Sequence, residues 1–440
     1  MLYRKISQYI ENHLKSDSNK VLLVEGARQI GKSYIIRYVG KKLFKHYVDI
    51  NFLEDSSSLR LFQNTRTLED FYLQLSMMAG DKLGSKKDTL IFLDEIQEYP
   101  HLLTLLKFLK QDDRFTYIAS GSLLGVTLSQ TSSIPIGSIQ LKHMYPLDFE
   151  EFLLANGVGN YAINVMRSLF MARKGLDEVM HHKISDLFRK YLLTGGMPDA
   201  VNTFLESQNI VQVRAIQSDI CTFYGADASK YDKENRLKIQ RIYEMIPSNL
   251  ENKKKRVVIK DIEGKKGKRF TDYSDEFDYL IHSGIALEVK AIANPKFPLS
   301  ESSGKNLLKL YLNDVGLLTN ILYRHNIRAI LDDEKSINLG SVYESVVASE
   351  LIAHGFNLFY YDNKTKGEVD YLIDDYDSLS VVPIEVKSGK DYTVHSALNH
   401  FMENEDYHIK HGFVLSNERE VKTVGKITYL PIYYVMFFQQ

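Results

Sequence analysis

Eight residues near the N-terminus, Gly26-Ala27-Arg28-Gln29-Ile30-Gly31-Lys32-Ser33, have the types and spacing to grip a phosphate chain. They fit G-x-x-x-x-G-K-[ST] in full and follow an apolar run, Val21-Leu22-Leu23-Val24. A strand, a glycine-rich turn and a helix start are therefore expected in that order. Such a loop works because backbone amides converge at a helix N-terminus, where the helix dipole also favours an anion. Gly26 and Gly31 admit backbone angles that a side chain would forbid. Lys32 can reach the β- and γ-phosphates, and the Ser33 hydroxyl can take one place on Mg²⁺. Standing alone, the same string is also a glycine-rich αβ turn with a chance lysine.

A second motif supports the phosphate reading. Leu90-Ile91-Phe92-Leu93 is apolar throughout, as in a strand buried on both faces of a parallel sheet, and it ends in Asp94-Glu95. Ligands of open α/β sheets bind at that edge. Asp94 is expected to hold Mg²⁺, directly or through water, and Glu95 to orient the water that attacks the γ-phosphate. A third strand, Phe115 to Ala119, leads into Ser120-Gly121-Ser122. A polar residue there, Ser122 first among them, can meet the γ-phosphate or the attacking water; small residues in a turn are the plain alternative.

The elements that must position these groups follow from the apolar pattern. Strands are expected at 21–25, 46–51, 90–94, 116–120 and 138–142, with helices at 32–39, 68–78 and 101–110, which makes a parallel sheet with helices on both faces. An amphipathic helix precedes them, with Ile6, Tyr9, Ile10 and Leu14 at helical spacing. From Tyr145 to about Leu205 the pattern turns helical and reads as a lid. Residues 206–325 read as a further helical unit with a small sheet.

The whole chain has 440 residues, 44% hydrophobic and 25% charged, with a formal net charge of −1. That size suits about three domains, and that charge provides no global field toward nucleic acid or membrane. One cysteine, Cys221, excludes an internal disulfide and suggests a reducing, cytoplasmic setting. No run reaches the roughly 18 apolar residues that span a bilayer, so no membrane partner is expected. Local charge differs: residues 251–270 hold nine bases against three acids, a net of +6, with Gly264 and Gly267 giving the look of a loop or wing. Such a cluster suits phosphate contacts with a DNA duplex; a solvated basic loop is the alternative.

A last constellation lies beyond residue 326. A helix is expected near 339–353, then strands at 358–361, 368–373, 381–387 and 412–415, and the apolar tail 429–438 reads as a terminal buried strand. Glu385 and Lys387 are two apart on one strand and so share a face. With Asp370 and Glu344 they could hold Mg²⁺ and hydrolyse a phosphodiester. An internal ion pair would equally explain a buried Glu and Lys.

With these residues in hand, the chain resembles a family of prokaryotic AAA+ ATPases with a central winged helix and a C-terminal domain related to restriction endonucleases of the PD-(D/E)XK type. The likeness rests on Gly26–Ser33, Leu-Asp-Glu-Ile-Gln (93–97), Ser-Gly-Ser-Leu-Leu-Gly (120–125), Tyr-Pro-Leu-Asp-Phe-Glu-Glu-Phe (145–152), Gly-Gly-Met-Pro (195–198), Leu-Lys-Leu-Tyr-Leu-Asn-Asp-Val-Gly-Leu-Leu (308–318), Glu-Val-Asp-Tyr-Leu-Ile (368–373) and Ile-Glu-Val-Lys (384–387). It implies an α/β multidomain protein: an AAA+ core at 1–145, a helical lid at 146–205, a winged helix at 206–325 and a nuclease-like domain at 326–440. It further implies ATP and Mg²⁺ as cofactors and DNA as partner, and leaves a homo-oligomer open. By the resemblance Asp370, Glu385 and Lys387 are nuclease residues and Glu344 the helical acid that completes the metal set. A nucleotide-dependent switch that cuts nothing is the alternative. No arginine lies between Ser122 and Leu141 to serve as a finger in trans; Arg114, Arg173 and Arg189 stand nearest that role.

Overall fold

Alternation of apolar runs with helical patterns builds the first sheet. The computed structural model describes residues 2–16, 18–122, 136–231, 236–264, 267–302, 304–324, 326–332, 339–389 and 392–440. Lys265, Lys266 and the Leu123–Gly125 part of the serine–glycine motif lie outside them. Helix α1 (Lys5–Lys15) comes first, then β1 (Val21–Glu25), α2 (Lys32–Leu43), β2 (His46–Asn51), α3 (Phe52–Ser57), α4 (Leu68–Ala79), β3 (Thr89–Asp94), α5 (Pro100–Asp112), β4 (Thr116–Gly121) and β5 (Ile139–His143). The five strands pair in parallel in the order β2-β3-β4-β1-β5. They agree with the expected strands to within one residue, because β1 and β3 are buried along their whole length and their apolar runs are unbroken. One core gathers Leu23, Ile50, Phe52, Phe71, Leu93 and Leu106. Local signals set the ends: Thr67 and Asp70 form a capping box at α4, and Pro100 starts α5.

The remaining chain continues through α6 (Phe149–Ala155), α7 (Asn160–Met171), α8 (Glu178–Thr194), α9 (Pro198–Ser207), α10 (Ile210–Tyr231), α11 (Arg236–Glu251), α12 (Ile259–Glu263), α13 (Ser274–His282), β6 (Ala286–Ile292), β7 (Gly304–Leu312), α14 (Val315–Tyr323), α15 (Arg328–Leu331), α16 (Gly340–Ala353), β8 (Phe359–Asn363), β9 (Gly367–Asp375), β10 (Ser380–Lys387), α17 (Ser396–Met402), β11 (Gly412–Ser416), β12 (Lys422–Val424) and β13 (Ile427–Pro431). Its eight strands form one mixed sheet in the order β12-β13-β11-β10-β9-β8-β6-β7. The chain divides into two compact units, Met1–Tyr145 with His282–Gly284, and Pro146–Ile281 with Ile285–Gln440.

This differs from the four segments expected. The strands β6 and β7, expected inside a winged-helix segment ending at 325, join the C-terminal sheet: Lys290 pairs with Phe359 and Ile292 with Tyr361 across β6 and β8. An unpaired strand edge is a liability, and β8 offers the partner. The basic stretch is also not the tip of the β6–β7 pair; its described residues hold a turn and α12 and run into a short 3₁₀ helix ahead of α13. The C-terminal tail stops being a strand at Pro431 and continues as a 3₁₀ turn, Ile432–Phe437, since proline cannot donate to a ladder.

Three quoted motifs meet inside the second unit. The Leu147 amide donates to the Gly196 carbonyl at 2.8 Å, and the Gly196 amide donates to Asp314 Oδ2 at 2.6 Å. Asp314 Oδ1 also caps α14 through the Leu317 amide at 3.0 Å. Burial pushes the Asp314 carboxyl up to about 6, against the pull of these amides. A Cβ on Gly196 would lie 2.0 Å from the Leu147 carbonyl oxygen. Backbone cannot give way as a side chain tip can, so Gly196→Ala is expected to destabilise the second unit by roughly 3 kcal/mol. Urea unfolding checks this; a loss below about 0.5 kcal/mol, the range of an inert surface substitution, would refute the packing argument.

Candidate functional site

The buried strand β1 delivers a loop whose backbone leaves the ordinary region three times: φ is 146° at Gly26, 64° at Gln29 and 91° at Gly31. A Cβ on Gly26 would sit 2.2 Å from the Met144 carbonyl oxygen, which accounts for the first glycine. Gly31 is the N-cap of α2, so the amides of Lys32 and Ser33 open the helix with no intrahelical partner. Arg4 Nη1 braces the loop at the Ile30 carbonyl, 3.0 Å away. Lys32 is 5% exposed, and its Nζ donates to the Gly26 and Ala27 carbonyls at 2.9 and 2.7 Å. Burial pushes the Lys32 ammonium down to about 8, partly opposed by the charges of Glu95 and Asp94.

Strand order brings the second half of the site to this loop. With β4 between β1 and β3, Ser120 and Ser122 stand between the phosphate loop and the acids. Asp94 is 2% exposed. Its Oδ1 accepts from Ser33 Oγ at 3.0 Å, from the Glu95 amide at 3.1 Å and from the Ser120 hydroxyl in a short contact. Its Oδ2 faces Arg37 Nη2 at 3.5 Å, while Arg37 Nε holds Asp49 Oδ2 at 2.6 Å. Burial raises the Asp94 carboxyl and the two serine hydroxyls lower it. Glu95 adopts a left-handed backbone, φ 54°, uncommon for a residue with a side chain and frequent where function requires it. Its Oε2 accepts from the Ser122 hydroxyl at 3.3 Å and from the Gln97 side-chain amide. Arg28 Nε donates to Ser122 Oγ at 3.4 Å.

Thus Lys32, Ser33, Asp94, Glu95 and Ser122 come together at the loop Gly26–Ser33. Sequence reasoning gave no role to Gln97, Arg37 and Asp49, and of Ser120-Gly121-Ser122 it singled out Ser122. A signal existed for Arg37, which lies four residues after Ser33 on α2 and so shares its face. Two of the arginines considered for a finger are engaged elsewhere. Arg114 stacks 4.0 Å from the Tyr72 ring centroid, and Arg173 stacks on Phe413 at 5.0 Å.

The C-terminal constellation also assembles, but with partners the sequence did not reveal. Ile384 pairs with Tyr371, which brings Glu385 alongside Asp370. The Val386 amide donates to Asp370 Oδ2 at 2.8 Å, and Lys387 Nζ reaches Glu385 Oε1 at 2.8 Å. Glu344 on α16 forms a close ion pair with Lys255 and accepts from Tyr311 OH at 3.3 Å. Lys309 on β7, with a side chain wholly buried, lies 2.5 Å from Glu368 and 4.0 Å from Glu344. Burial, then the charge of Asp370, pushes the Glu385 carboxyl up to about 8, with Lys387 opposing. Glu385 Oε2 is buried without a hydrogen-bond partner. As the side chains stand, no three His, Cys, Asp or Glu among the described residues are placed to hold a metal. In this arrangement Glu344, Asp370 and Glu385 do not fit the Mg²⁺ expected for them: they turn to Lys255, the Val386 amide and Lys387 rather than converging on one place for an ion. Lys255 and Arg256 of the basic stretch are committed here too, Arg256 lying 3.7 Å from Asp362.

Comparison with known proteins bears on the domain that carries the first site. Residues 18–153 match the AAA domain family (AAA_14); residues 185–327 and 339–435 match two domains of unknown function, DUF8612 and DUF4143. The first unit therefore carries an AAA-type P-loop ATPase domain. No curated protein matches the chain. Similar solved structures include the Walker-type ATPase PABY2304 of Pyrococcus abyssi, 13% identical, covering 72% of this chain and 95% of that one with a TM-score of 0.43. The ORC1 protein of Aeropyrum pernix in complex with DNA is 13% identical over 75% of this chain and 94% of that one, TM-score 0.31. AMPPCP-bound DnaA from Aquifex aeolicus is 11% identical over 63% and 88%, TM-score 0.31. No helix among the described residues is long and apolar enough to cross a membrane.

Lys32 makes the site visible in stability. Folded, it loses its proton near pH 8; unfolded, it keeps it to about 10.5. Between these values the unfolded state binds more protons, so stability rises with pH. Wild type is expected to gain ~3 kcal/mol relative to Lys32→Met across that window in nucleotide-free protein. Paired urea titrations from pH 7.5 to 10.5 measure it; a flat difference would mean that Lys32 is not shifted.

Proposed function

We propose that the first unit binds and hydrolyses ATP with Mg²⁺, and that the chain is a nucleotide-dependent switch whose second unit engages DNA without cutting it. One observation carries the first part: the Ser33 hydroxyl lies on the Asp94 carboxylate at 3.0 Å beside the Lys32 ammonium. A hydroxyl and a carboxylate are hard oxygen donors of the kind Mg²⁺ takes. Ser33 and Asp94 would hold the ion, which supplies charge neutralisation on the β- and γ-phosphates. Lys32 would exchange its two loop carbonyls for phosphate oxygens, a stronger, charge-assisted pairing. Glu95, steadied by Ser122 and Gln97, would orient the attacking water. Ser120 keeps Asp94 facing the loop. The loop residues Ala27, Arg28, Gln29 and Ile30 would offer backbone amides between the two glycines. The AAA domain match over 18–153 supports this assignment.

Lys32→Ala is expected to lose nucleotide binding, measured by calorimetry with ATP and Mg²⁺. Glu95→Gln is expected to bind ATP and turn it over at least ~100-fold more slowly. Normal phosphate release by both variants would defeat the assignment.

DNA engagement rests on Lys253, Lys254, Lys260, Lys268 and Arg269, which are exposed within one short stretch. Exposed cations at this density suit phosphate contacts that do not read sequence. Neutralising Lys253 and Lys254 together should weaken duplex binding and lower the slope of log affinity against log salt by about 1.8. Unchanged affinity and slope would direct the second unit toward a protein partner instead. Plasmid left intact with Mg²⁺, with and without ATP, distinguishes a switch from a nuclease.

A further inference from the structure

We propose that the Lys255 ammonium is the resident cation of the carboxylate cluster on α16, β9 and β10, and that no divalent metal ion binds there while Lys255 is in place. The cluster is Glu344, Glu368, Asp370 and Glu385, and three lysines meet it. Lys387 lies 2.8 Å from Glu385 on its own strand. Lys309 reaches Glu368 at 2.5 Å from within β7. Lys255 alone comes from outside the sheet, from the link between α11 and α12, and closes on Glu344. Its side chain is 20% exposed, so its charge is held in a largely buried place.

The arrangement leaves a divalent ion no favourable route in. Reaching Glu344 means displacing Lys255, and the ion would then meet Lys309 and Lys387 around the same carboxylates. Three ammonium groups already offset most of the charge of four acids, the compensation that buried charges require. One oxygen is spare: Glu385 is 6% exposed and its Oε2 has no hydrogen-bond partner. That oxygen marks where a cation would find a ligand if Lys255 withdrew. The basic stretch is accordingly split, with Lys253 and Lys254 exposed, Lys255 in the cluster and Arg256 facing Asp362.

The test uses the full chain, stripped with EDTA and free of nucleotide; any Mn²⁺ at Ser33 and Asp94 is common to all variants and cancels in the comparison. Mn²⁺ binding is followed by electron paramagnetic resonance. Wild type and Glu385→Gln should be indistinguishable. Lys255→Met should gain about one bound Mn²⁺ that is lost again in Lys255→Met/Glu385→Gln. A wild-type Mn²⁺ site abolished by Glu385→Gln or Asp370→Asn would overturn the proposal, as would a folded Lys255→Met that gains nothing. Should Lys255→Met not fold, the comparison of wild type with Glu385→Gln and Asp370→Asn decides alone: equal binding supports the proposal and a lost site overturns it.

Discussion

A carboxylate buried at the end of a strand must find donors, and around Asp94 that need ties the first unit together. An unanswered buried charge costs several kcal/mol, so its donors have to be held in place by the fold. They come from separate parts: Ser33 from the start of α2, Ser120 from β4, the following amide at Glu95, and Arg37 from the same helix as Ser33. The arrangement is available only because β4 runs between β1 and β3. With a different strand order Ser120 would not stand beside Asp94.

The left-handed turn at Glu95 follows from the same constraint. Asp94 ends the ladder facing the loop, and its own carboxylate takes the next amide. The chain must then bend sharply, and the Glu95 side chain is delivered to Ser122 and Gln97. Two adjacent acids thus acquire different environments: Asp94 buried among hydroxyls, Glu95 half-buried beside an amide and a serine. That separation suits the division of roles proposed for them, one holding an ion and the other orienting water.

In the second unit the same requirement is met with cations. Three acids on α16, β9 and β10, Glu344, Glu368 and Glu385, recruit lysines from a distant link, from β7 and from β10. Motif chemistry alone would give these acids to a metal, and the resemblance of Glu-Val-Asp-Tyr-Leu-Ile and Ile-Glu-Val-Lys to nuclease cores points that way. In the fold Glu344, Glu368 and Glu385 each pair with an ammonium group, and Asp370 accepts from the Val386 amide. Asp314 shows a milder version, where amides of Gly196 and Leu317 sustain a buried carboxyl and so join the Gly-Gly-Met-Pro turn to the start of α14.

What the sequence by itself determined is local. The phosphate loop, the Asp94-Glu95 strand end and the parallel-sheet strands were legible because glycine freedom, unbroken apolar runs and capping residues act over a few neighbouring positions. Lys309 shows the limit. Between Leu308 and Leu310 it reads as the solvent face of a half-buried strand, yet its side chain is wholly buried. Its burial depends on β6 pairing with β8, and on Glu344 and Glu368 arriving from elsewhere in the chain. Lys255 likewise reads as one of nine bases open to DNA until Glu344 meets it, 89 residues away. Only the tertiary structure could decide such pairings, because the energy of a buried charge is set by whichever partners the fold brings to it.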